Sequence, residues 1–366
     1  MNILSIIESL GAGGGAEMAL SDLVIGLPEH SHVVWHFSRL NQKAADRPLI
    51  RRMTDHGVPV RDVDWRAVST RDVRIRSLDG FEPDVVMIHW WKNEPWAPWQ
   101  TEARLTGRPR FVSILHSSRM SLSPGYDRYV GVARFQVARF PFLAEENVRV
   151  IPNAVDLTRY RSPSRASRSK LGEPLVIGTM AGLRVEKVPL SLIEDAVAWN
   201  VPHAQWQIAG TGIFREEFEA QAARLAQGKF RFLGLLPRRS VPRFLSGLDV
   251  LCHPVHPQVL DCNPIGVMEA LAAGVPVVAE ARGGLPEIID HGVNGLLASS
   301  SDEVGELLRR LAGDRALVRR LAHEARESAR RFDRPIQLAA YRKLLAEFEP
   351  ELALLDEQAV AVGSRS

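Results

Sequence analysis

The sequence has few cysteines, no long apolar run and almost no net charge. Cys252 and Cys262 are the only cysteines among 366 residues, which excludes a disulfide framework and a four-cysteine zinc site. No apolar run approaches the roughly 18 residues that a membrane-spanning helix requires. The 46 Lys and Arg residues and 43 Asp and Glu residues leave a net charge of +3, which does not indicate a nucleic-acid partner.

Length and composition favour a two-domain α/β protein. Apolar residues make up 45% of the chain and charged residues 24%, a balance typical of globular proteins, and 366 residues exceed what one core usually holds. Glu8 and the lack of a basic N-terminal region predict that the chain opens on a β-strand and not on a signal peptide. We therefore expect a cytoplasmic protein, at most peripheral to the inner face of the membrane.

Short β-branched runs alternate with helical patterns, as in parallel sheets covered by helices on both faces. A Ser-, Arg- and Pro-rich stretch interrupts the alternation, which then restarts. The pattern predicts two doubly wound Rossmann-like domains that face each other across a cleft, because such sheets bind ligands at the carboxyl ends of their strands. The predicted segments are a first domain at 1–155, a linker at 156–173, a second domain at 174–333, a helix at 334–358 that packs back on the first domain, and a disordered tail at 359–366.

A glycine loop, G-A-G-G-G-A at 11–16, joins the first predicted strand to the first helix. Its backbone N–H groups can hold an anion at the positive end of that helix. Alternatively, the glycines only let strand and helix pack. The loop also fits the dinucleotide fingerprint G-x-G-x-x-A, which leaves a pyridine-nucleotide oxidoreductase as an alternative, although the usual acidic ribose ligand about 20 residues on is missing.

The densest motif run is L-D-C-N-P-I-G-V-M-E-A-L-A-A-G at 260–274. Pro264 fits the first turn of a helix and Asn263 fits its cap, so the N–H groups of residues 264–267 predict a second anion site. Glu269 lies about one turn farther along, where a carboxylate can accept two ribose hydroxyls. Asp261 precedes the helix, and the two acids are therefore assigned to different parts of one ligand.

These motifs resemble the retaining nucleotide-sugar glycosyltransferases of family 4, the glycosyl transferases group 1, which have the two-domain GT-B fold. The resemblance covers nearly the whole chain. It rests on the glycine loop, V-R-V-I-P-N-A-V-D at 148–156, I-G-T-M-A-G-L-R-V-E-K at 177–187, W-Q-I-A-G-T-G at 206–212, F-L-G at 232–234, and the run in which seven residues separate Asp261 from Glu269.

The resemblance implies a donor site in the second domain and an acceptor site in the first. Glu269 would hold the ribose, Lys187 would neutralise the leaving diphosphate, and His116 would contact the sugar. The implied catalytic residues are His116, Asp261 and Lys187. The implied donor-binding residues are Gly13, Gly14, Gly15, Arg184, Lys187, Asn263, Pro264, Ile265, Gly266, Val267 and Glu269.

The implied reaction is transfer of a hexose from a nucleoside-diphosphate sugar to a hydroxyl, with retention of configuration and without metal or cofactor. The acceptor would be a glycan, a lipid-linked glycan or a glycosylated metabolite, as in polysaccharide or glycoconjugate biosynthesis. Trp90, Trp91 and Trp96 are candidates for stacking on it, with helix-to-sheet packing as the alternative. Closure of the two domains would expel water from the reacting groups.

Four positions depart from the family pattern: Ala133 replaces a serine, Ala154 replaces the glycine of the IPNGVD segment, and Gly182 and Asp261 lie among the site motifs. Gly182 stands where the family commonly has an arginine, and Arg184 could supply the charge from a shifted position. Asp261 replaces the first of the family's two glutamates and is one methylene shorter. These departures leave a second hypothesis, a non-catalytic nucleotide-sugar-binding or scaffold protein that kept the fold.

Two further patterns allow weaker interpretations. A metal site could be formed by Cys252, His253, His256, Asp261 and Cys262, but their spacing matches no structural zinc motif, and the histidines are better explained as lining the ligand site. Paired arginines recur on the C-terminal helices, either as a solvated face or as a membrane-surface contact. These pairs are Arg309/Arg310, Arg319/Arg320 and Arg330/Arg331.

Overall fold

The computed structural model describes residues 1–10, 14–36, 48–63, 81–90, 109–117, 125–185, 187–256, 258 and 260–349. The chain divides into two compact units, one of Met1–Pro152 with Pro335–Ser366 and one of Asn153–Arg334. Each unit contains a parallel β-sheet with helices, which confirms the predicted α/β class.

The described part of the first unit contains a seven-stranded sheet with the order β3-β2-β1-β4-β5-β6-β7. Its strands are β1 (Asn2–Ile7), β2 (Ser31–His36), β3 (Val60–Asp62), β4 (Val85–Trp90), β5 (Arg110–Leu115), β6 (Arg128–Gly131) and β7 (Val148–Val150). The helices are α1 (Gly15–Gly26), α2 (Pro48–Thr54) and α3 (Arg134–Val137), with a 3₁₀ turn at Glu145–Asn147. The strand order reverses between β1 and β4.

The interior strand β1 is buried on both faces, as its mostly apolar sequence predicts, with Ser5 the one polar residue between Ile3 and Ile7. Leu4 and Ile6 pack on one side with Trp35 of β2. Ile3 packs on the other side with Leu23 of α1. Side chains alternate across a strand, so one apolar run supplies two cores.

The described part of the second unit contains a six-stranded sheet with the order β10-β9-β8-β11-β12-β13. Its strands are β8 (Leu175–Met180), β9 (Ala204–Ala209), β10 (Phe230–Gly234), β11 (Val250–Cys252), β12 (Val277–Glu280) and β13 (Gly295–Ala298). The helices are α4 (Leu192–Ala198), α5 (Arg215–Leu225), α6 (Val241–Ser246), α7 (Ile265–Ala272), α8 (Leu285–Ile288), α9 (Ser301–Gly313) and α10 (Arg315–Ser328), with 3₁₀ turns at Leu157–Arg159, Ala166–Arg168, Arg238–Ser240 and Ala329–Phe332.

The last described helix, α11 (Arg334–Ala346), packs in the core of the first unit. Its residues Leu338, Tyr341 and Leu345 lie in one cluster with Ile3 and Leu23. Because α11 comes after the second unit in the sequence, the chain leaves the first unit and returns to it. Residues 350–358 of the predicted helix and the predicted tail lie outside the described residues.

The second unit begins and ends at one place. Val155 donates its N–H to Phe332 O (2.9 Å) and accepts from Arg334 N (2.9 Å). The Arg334 guanidinium also pairs with Asp156 (3.2 Å). These contacts fasten the first residues of the unit to its last ones.

Residues 156–173, predicted as an interdomain linker, are packed into the second unit. Tyr160 and Ala166 are buried in its cores. Ser164 donates to Gly274 O (2.6 Å), and Arg165 pairs with the fully buried Asp249 (2.9 Å). The polar side chains of this stretch form hydrogen bonds and ion pairs inside the second unit. The linker prediction was wrong because a polar composition was taken to indicate exposure to solvent.

The sequence pattern predicts most of the described strands and helices within a few residues, but it does not predict α3 (Arg134–Val137). Strand β13 was not predicted because only four residues between two turns form it. The sequence also predicts a helix from Pro98 to Thr106 that ends at Gly107, and these residues lie outside the described ones.

Gly305 of α9 marks a contact too close for a side chain. A Cβ there would lie 2.6 Å from Trp199 Cγ, and the buried indole packs against Trp206 (5.9 Å between ring centroids). Gly305→Ala is expected to lower the free energy of unfolding by about 1–3 kcal/mol, because overpacking outweighs the gain of about 1 kcal/mol in helix propensity. The measurement is urea unfolding followed by circular dichroism.

The matched control is Gly313→Ala at the end of the same helix, where a Cβ would meet no atom within 4 Å. This variant is expected to be as stable as the parent chain or slightly more stable. Equal stability of Gly305→Ala and Gly313→Ala would contradict the packing argument.

Candidate active site

The best-defined polar cluster lies where the strand order of the second unit reverses. Strands β8 and β11 are neighbours there, although β9 and β10 come between them in the sequence. Lys187 lies in the loop after β8, and His253 and Asp261 lie in the loop after β11. Doubly wound sheets bind ligands at this position, beyond the carboxyl ends of the strands.

Asp261 joins this cluster through both carboxylate oxygens. Oδ1 accepts a hydrogen bond from Lys187 Nζ (2.6 Å), and Oδ2 lies 3.1 Å from His253 Nε2. The Asp261 side chain is 17% exposed and that of His253 is 8% exposed, whereas Lys187 retains 39%. The accessible member of the cluster is therefore the cation.

The pKa of Asp261 lies well below its usual range. Burial by itself would raise this pKa, but the hydrogen bond from His253 and the charge of Lys187 together outweigh burial and lower it. Asp261 is thus an anion at neutral pH. The sequence resemblance implied that Lys187 neutralises the diphosphate and that Asp261 is catalytic, without pairing the two, and the structure brings them into direct contact.

Helix α7 begins at Ile265, and Pro264, which was expected in its first turn, is instead its N-cap residue, with φ −69° and ψ 115°. Asn263 does not cap the helix, which corrects the prediction. Its Oδ1 accepts the N–H of Asn153 (2.8 Å), and its backbone O accepts from Asn153 Nδ2 (2.9 Å). Asn263 thus ties the loop before α7 to the I-P-N-A-V-D segment.

The anion site predicted at this helix start is smaller than expected. Pro264 has no N–H, and Val267 donates its N–H to Pro264 O (3.1 Å). The N–H groups of Ile265 and Gly266 remain in the first turn, where no intrahelical acceptor exists for them. Two of the predicted amides therefore remain for a ligand.

Glu269 is buried within the second unit, with 8% of its surface exposed. Its Oε1 accepts a hydrogen bond from the Tyr160 hydroxyl (2.6 Å). Burial, and then the charge of Glu269, raise the pKa of Tyr160, so the phenol stays protonated and donates. A ribose that binds Glu269 must share this carboxylate with Tyr160, which sequence reasoning had placed in a linker.

The side chain of Arg184 covers Gly182. A Cβ on Gly182 would lie 3.5 Å from Arg184 Nε, which is an ordinary van der Waals contact. The Arg184 guanidinium therefore lies beside the position from which an arginine side chain at 182 would extend. The neighbouring G-T-G turn approaches this segment closely, since a Cβ on Gly212 (φ 159°) would collide with Leu183 O. The shifted position of the arginine thus fits the geometry, and its contact with phosphate stays a prediction.

The N-terminal glycine loop already has an anion beside it. Gly14 donates its N–H to Glu17 Oε2 (2.6 Å), and Glu17 is buried in the first turn of α1. A carboxylate thus occupies the helix end where the diphosphate was expected. An acid three residues after the cap is the capping-box signal that sequence reasoning missed. Gly15 opens α1, and Gly13 lies outside the described residues.

His116 follows β5 and contacts His89 of β4, with 3.3 Å between His89 Nδ1 and His116 Nε2. Burial lowers the pKa of His116 to about 4, so the ring is neutral at neutral pH. Trp90 is the last residue of β4, while Trp91 and Trp96 lie outside the described residues.

The weaker interpretations receive little support. Among the described residues, no group of three or more His, Cys, Asp and Glu side chains is arranged to hold a metal ion. No helix of the described ranges has the length and apolar character to cross a bilayer. In the arginine pairs, Arg309 and Arg319 donate to carbonyls of the second unit and Arg331 pairs with Asp290. Peripheral membrane contact stays a prediction.

Comparison with known proteins identifies the class of the chain. Residues 161–330 match the family model of the glycosyl transferases group 1. The fold is similar to that of Anabaena HepE in complex with UDP, with a TM-score of 0.73 and 20% sequence identity over 95% of this chain and 100% of that one. Residues 161–330 therefore form a glycosyl transferases group 1 domain, and the chain has the GT-B fold, as the motifs predict.

Two relatives are similar in sequence. A GDP-mannose-dependent monoacylated alpha-(1-6)-phosphatidylinositol monomannoside mannosyltransferase of Corynebacterium glutamicum is 30% identical over 222 residues, which are 55% of this chain and 58% of that protein. The lipopolysaccharide core biosynthesis glycosyltransferase LpsE of Rhizobium meliloti is 26% identical over 92% of this chain and 97% of that protein. The chain thus matches little more than half of the corynebacterial relative.

Asp261→Asn is expected to destabilise the second unit by about 2 kcal/mol at pH 7, between the values for surface and buried ion pairs. Because folding lowers the pKa of Asp261, its stabilising effect is fully present above the unfolded pKa of about 3.9 and decreases progressively as the pH falls from there towards the folded pKa. The difference from the parent chain should therefore shrink at pH 3.5. Urea unfolding at pH 7.0 and 3.5 measures it.

Asp290→Asn is the matched control, since Asp290 pairs with Arg331 in an exposed position. Its expected effect at pH 7 is at most about 1 kcal/mol. A penalty for Asp261→Asn that is no larger than this, or that stays constant with pH, would contradict the proposed charge of Asp261.

Proposed function

We propose that the chain transfers a hexose from a nucleoside-diphosphate sugar to a hydroxyl group of a glycan or glycoconjugate, with retention of anomeric configuration and without metal. The observation that carries the proposal is the Lys187–Asp261 pair beside the start of α7, at the switch point of a sheet in a glycosyl transferases group 1 domain. A fixed cation and two helix-terminal amides at this point suit a diphosphate.

The chemistry asked of these residues is charge stabilisation. When the bond between the anomeric carbon and the β-phosphate oxygen breaks, negative charge develops on that oxygen, and Lys187 would stabilise it. The acceptor hydroxyl forms the new glycosidic bond and gives its proton to the departing phosphate. Asp261 and His253 would act by holding Lys187 in position, and Glu269 by binding the ribose.

Mannose on a guanosine diphosphate carrier is the first donor to test, because mannosyltransferases that depend on GDP-mannose are among the similar proteins. UDP-glucose is the second, because the similar HepE chain has been solved with it. A non-catalytic nucleotide-sugar-binding protein is the other candidate, favoured by Gly182 and by the carboxylate that already engages Lys187.

The test is incubation of the full chain with labelled GDP-mannose or UDP-glucose, with and without mannoside and glucoside acceptors. We expect transfer to an acceptor or slow release of the free nucleoside diphosphate, and an NMR spectrum of the product that shows the anomeric configuration of the donor. Inversion would contradict retention. Binding without transfer or hydrolysis would favour the non-catalytic candidate.

Glu269→Gln is expected to weaken nucleoside-diphosphate binding by about tenfold to a hundredfold, the loss that accompanies removal of a charged hydrogen-bond acceptor. Titration calorimetry with the nucleotide that binds the parent chain measures it. The effect should vanish for the 2′,3′-dideoxy nucleotide, which has no hydroxyls for Glu269 to accept.

Glu306→Gln on the exposed face of α9 is the matched control and should leave affinity unchanged. If Glu269→Gln weakens the ribo- and dideoxynucleotides equally, Glu269 supports the site through Tyr160 and does not bind the ribose.

A further inference from the structure

His89 and His116 meet at the carboxyl ends of two neighbouring strands. Strands β4 and β5 are paired, with His89 opposite Ile114 and Trp90 opposite Leu115, so that His116 is the next residue beyond the pair. His89 is 1% exposed and His116 is partly exposed. The buried ring therefore lies behind the accessible one.

The two imidazoles are hydrogen-bonded in the plane of their rings. The ring centroids are 5.5 Å apart and the ring planes differ by 20°. His89 Nδ1 lies 3.3 Å from His116 Nε2. Adding the radius of each ring to this distance nearly gives the separation of the centroids, so both nitrogens lie near the line between the centroids. An offset stack would place the nitrogens away from that line.

Both rings are neutral at neutral pH. Burial lowers the pKa of His89 well below its usual value, with a smaller contribution from His116, and burial lowers the pKa of His116 to about 4. A neutral imidazole has one N–H and one acceptor nitrogen. One ring must therefore donate to the other, and two arrangements are possible.

The surroundings of His89 distinguish the two arrangements. His89 Nε2 is fully enclosed and has no hydrogen-bond partner in the part of the chain that the structure describes. If His116 donated, the only proton of His89 would lie on this enclosed nitrogen as an orphaned donor, which is rare and costly in proteins. If His89 donates from Nδ1, its proton is used and only a lone pair remains without a partner.

We propose that His89 donates from Nδ1 to His116 Nε2 and thereby fixes His116 as the Nδ1–H tautomer, so that His116 presents a hydrogen-bond donor to an oxygen of the substrate. His116 Nδ1 has no partner among the described residues. His89 is then a positioning residue that acts through His116. The tautomer follows from the contact between the two rings and the enclosure of His89 Nε2, and only its contact with a substrate oxygen rests on the proposed function.

The assignment has a chemical consequence for His116. Both of its nitrogens are committed, because Nε2 accepts from His89 and Nδ1 carries the proton. His116 therefore cannot take a proton from an acceptor hydroxyl without first leaving His89. Its role is that of a neutral donor that recognises a hydroxyl, carbonyl or phosphate oxygen.

The first test is NMR of the full chain with ¹⁵N-labelled histidine, which the 11 histidines make tractable. Two-bond N–H correlations give the tautomer of each ring, His116→Gln assigns its signals, and exposed His323 serves as an internal reference. We expect Nδ1–H for both His89 and His116. Finding His116 protonated at Nε2, or positively charged at pH 7, would overturn the proposal.

The second test compares two substitutions of His89. The Asn side chain carries an N–H donor near the position of the His89 Nδ1 atom, whereas Phe keeps the ring shape without a donor. His89→Phe should lose the Nδ1–H signature of His116 and lower kcat/KM for transfer by about fivefold to tenfold, the effect of one neutral hydrogen bond. His89→Asn should retain the signature and restore most of kcat/KM.

Thermal unfolding of both variants separates this effect from loss of fold. Equal kcat/KM for the Phe and Asn variants, at similar melting temperatures, would overturn the substrate-contact part of the proposal. If the chain shows no transfer activity at all, the proposed function fails, whereas the NMR of the parent chain still decides the tautomer.

Discussion

The negative charge on Asp261 persists in a poorly exposed site because His253 and Lys187 approach it from two sides. This balance determines where the cation of the site lies. Lys187 comes from a loop 74 residues earlier in the sequence, and the ion pair holds its ammonium at the end of β11. A diphosphate that binds there meets a lysine that already has an anionic partner. The affinity for the diphosphate therefore depends on how well Lys187 interacts with the diphosphate and Asp261 at the same time.

The remaining buried charges of the second unit follow the same rule, and residues 156–173 supply much of what they need. Asp249 is fully buried and is held by Arg165 and Arg315. Glu269 is held by Tyr160. A buried carboxylate without such partners would be costly, so this segment forms a structural support behind the site. The Ser and Arg residues of this segment form hydrogen bonds and ion pairs within the second unit, so their abundance does not indicate a flexible linker.

Prediction from sequence succeeded where the signal is local. The apolar runs of β1 and β8 and the start of α7 depend on side-chain periodicity and on Pro264, which can be read in a short window. Pairing across distance could not be read in this way. Glu269 and Tyr160 are 109 residues apart, and nothing in either local sequence indicates the other.

The expectations about the glycine loop and Asn263 failed for a different reason. The Gly14 N–H and the polar groups of Asn263 can form hydrogen bonds as expected, but other groups of the chain are already bonded to them. Glu17 accepts the Gly14 N–H, and Asn153 donates to both the side-chain Oδ1 and the backbone O of Asn263. A sequence pattern identifies what a residue can bind, whereas the fold decides which competitor reaches it.

The first and last residues of the second unit are hydrogen-bonded to each other, at Val155 and Arg334. In topological terms, residues 153–334 are an insertion into the other unit, with entry and exit at one point. Joining the ends of such a segment adds almost no loop entropy, which is the condition under which inserted domains and circular permutants are tolerated. Evolution could therefore exchange this unit as a whole without rebuilding the sheet into which the chain returns.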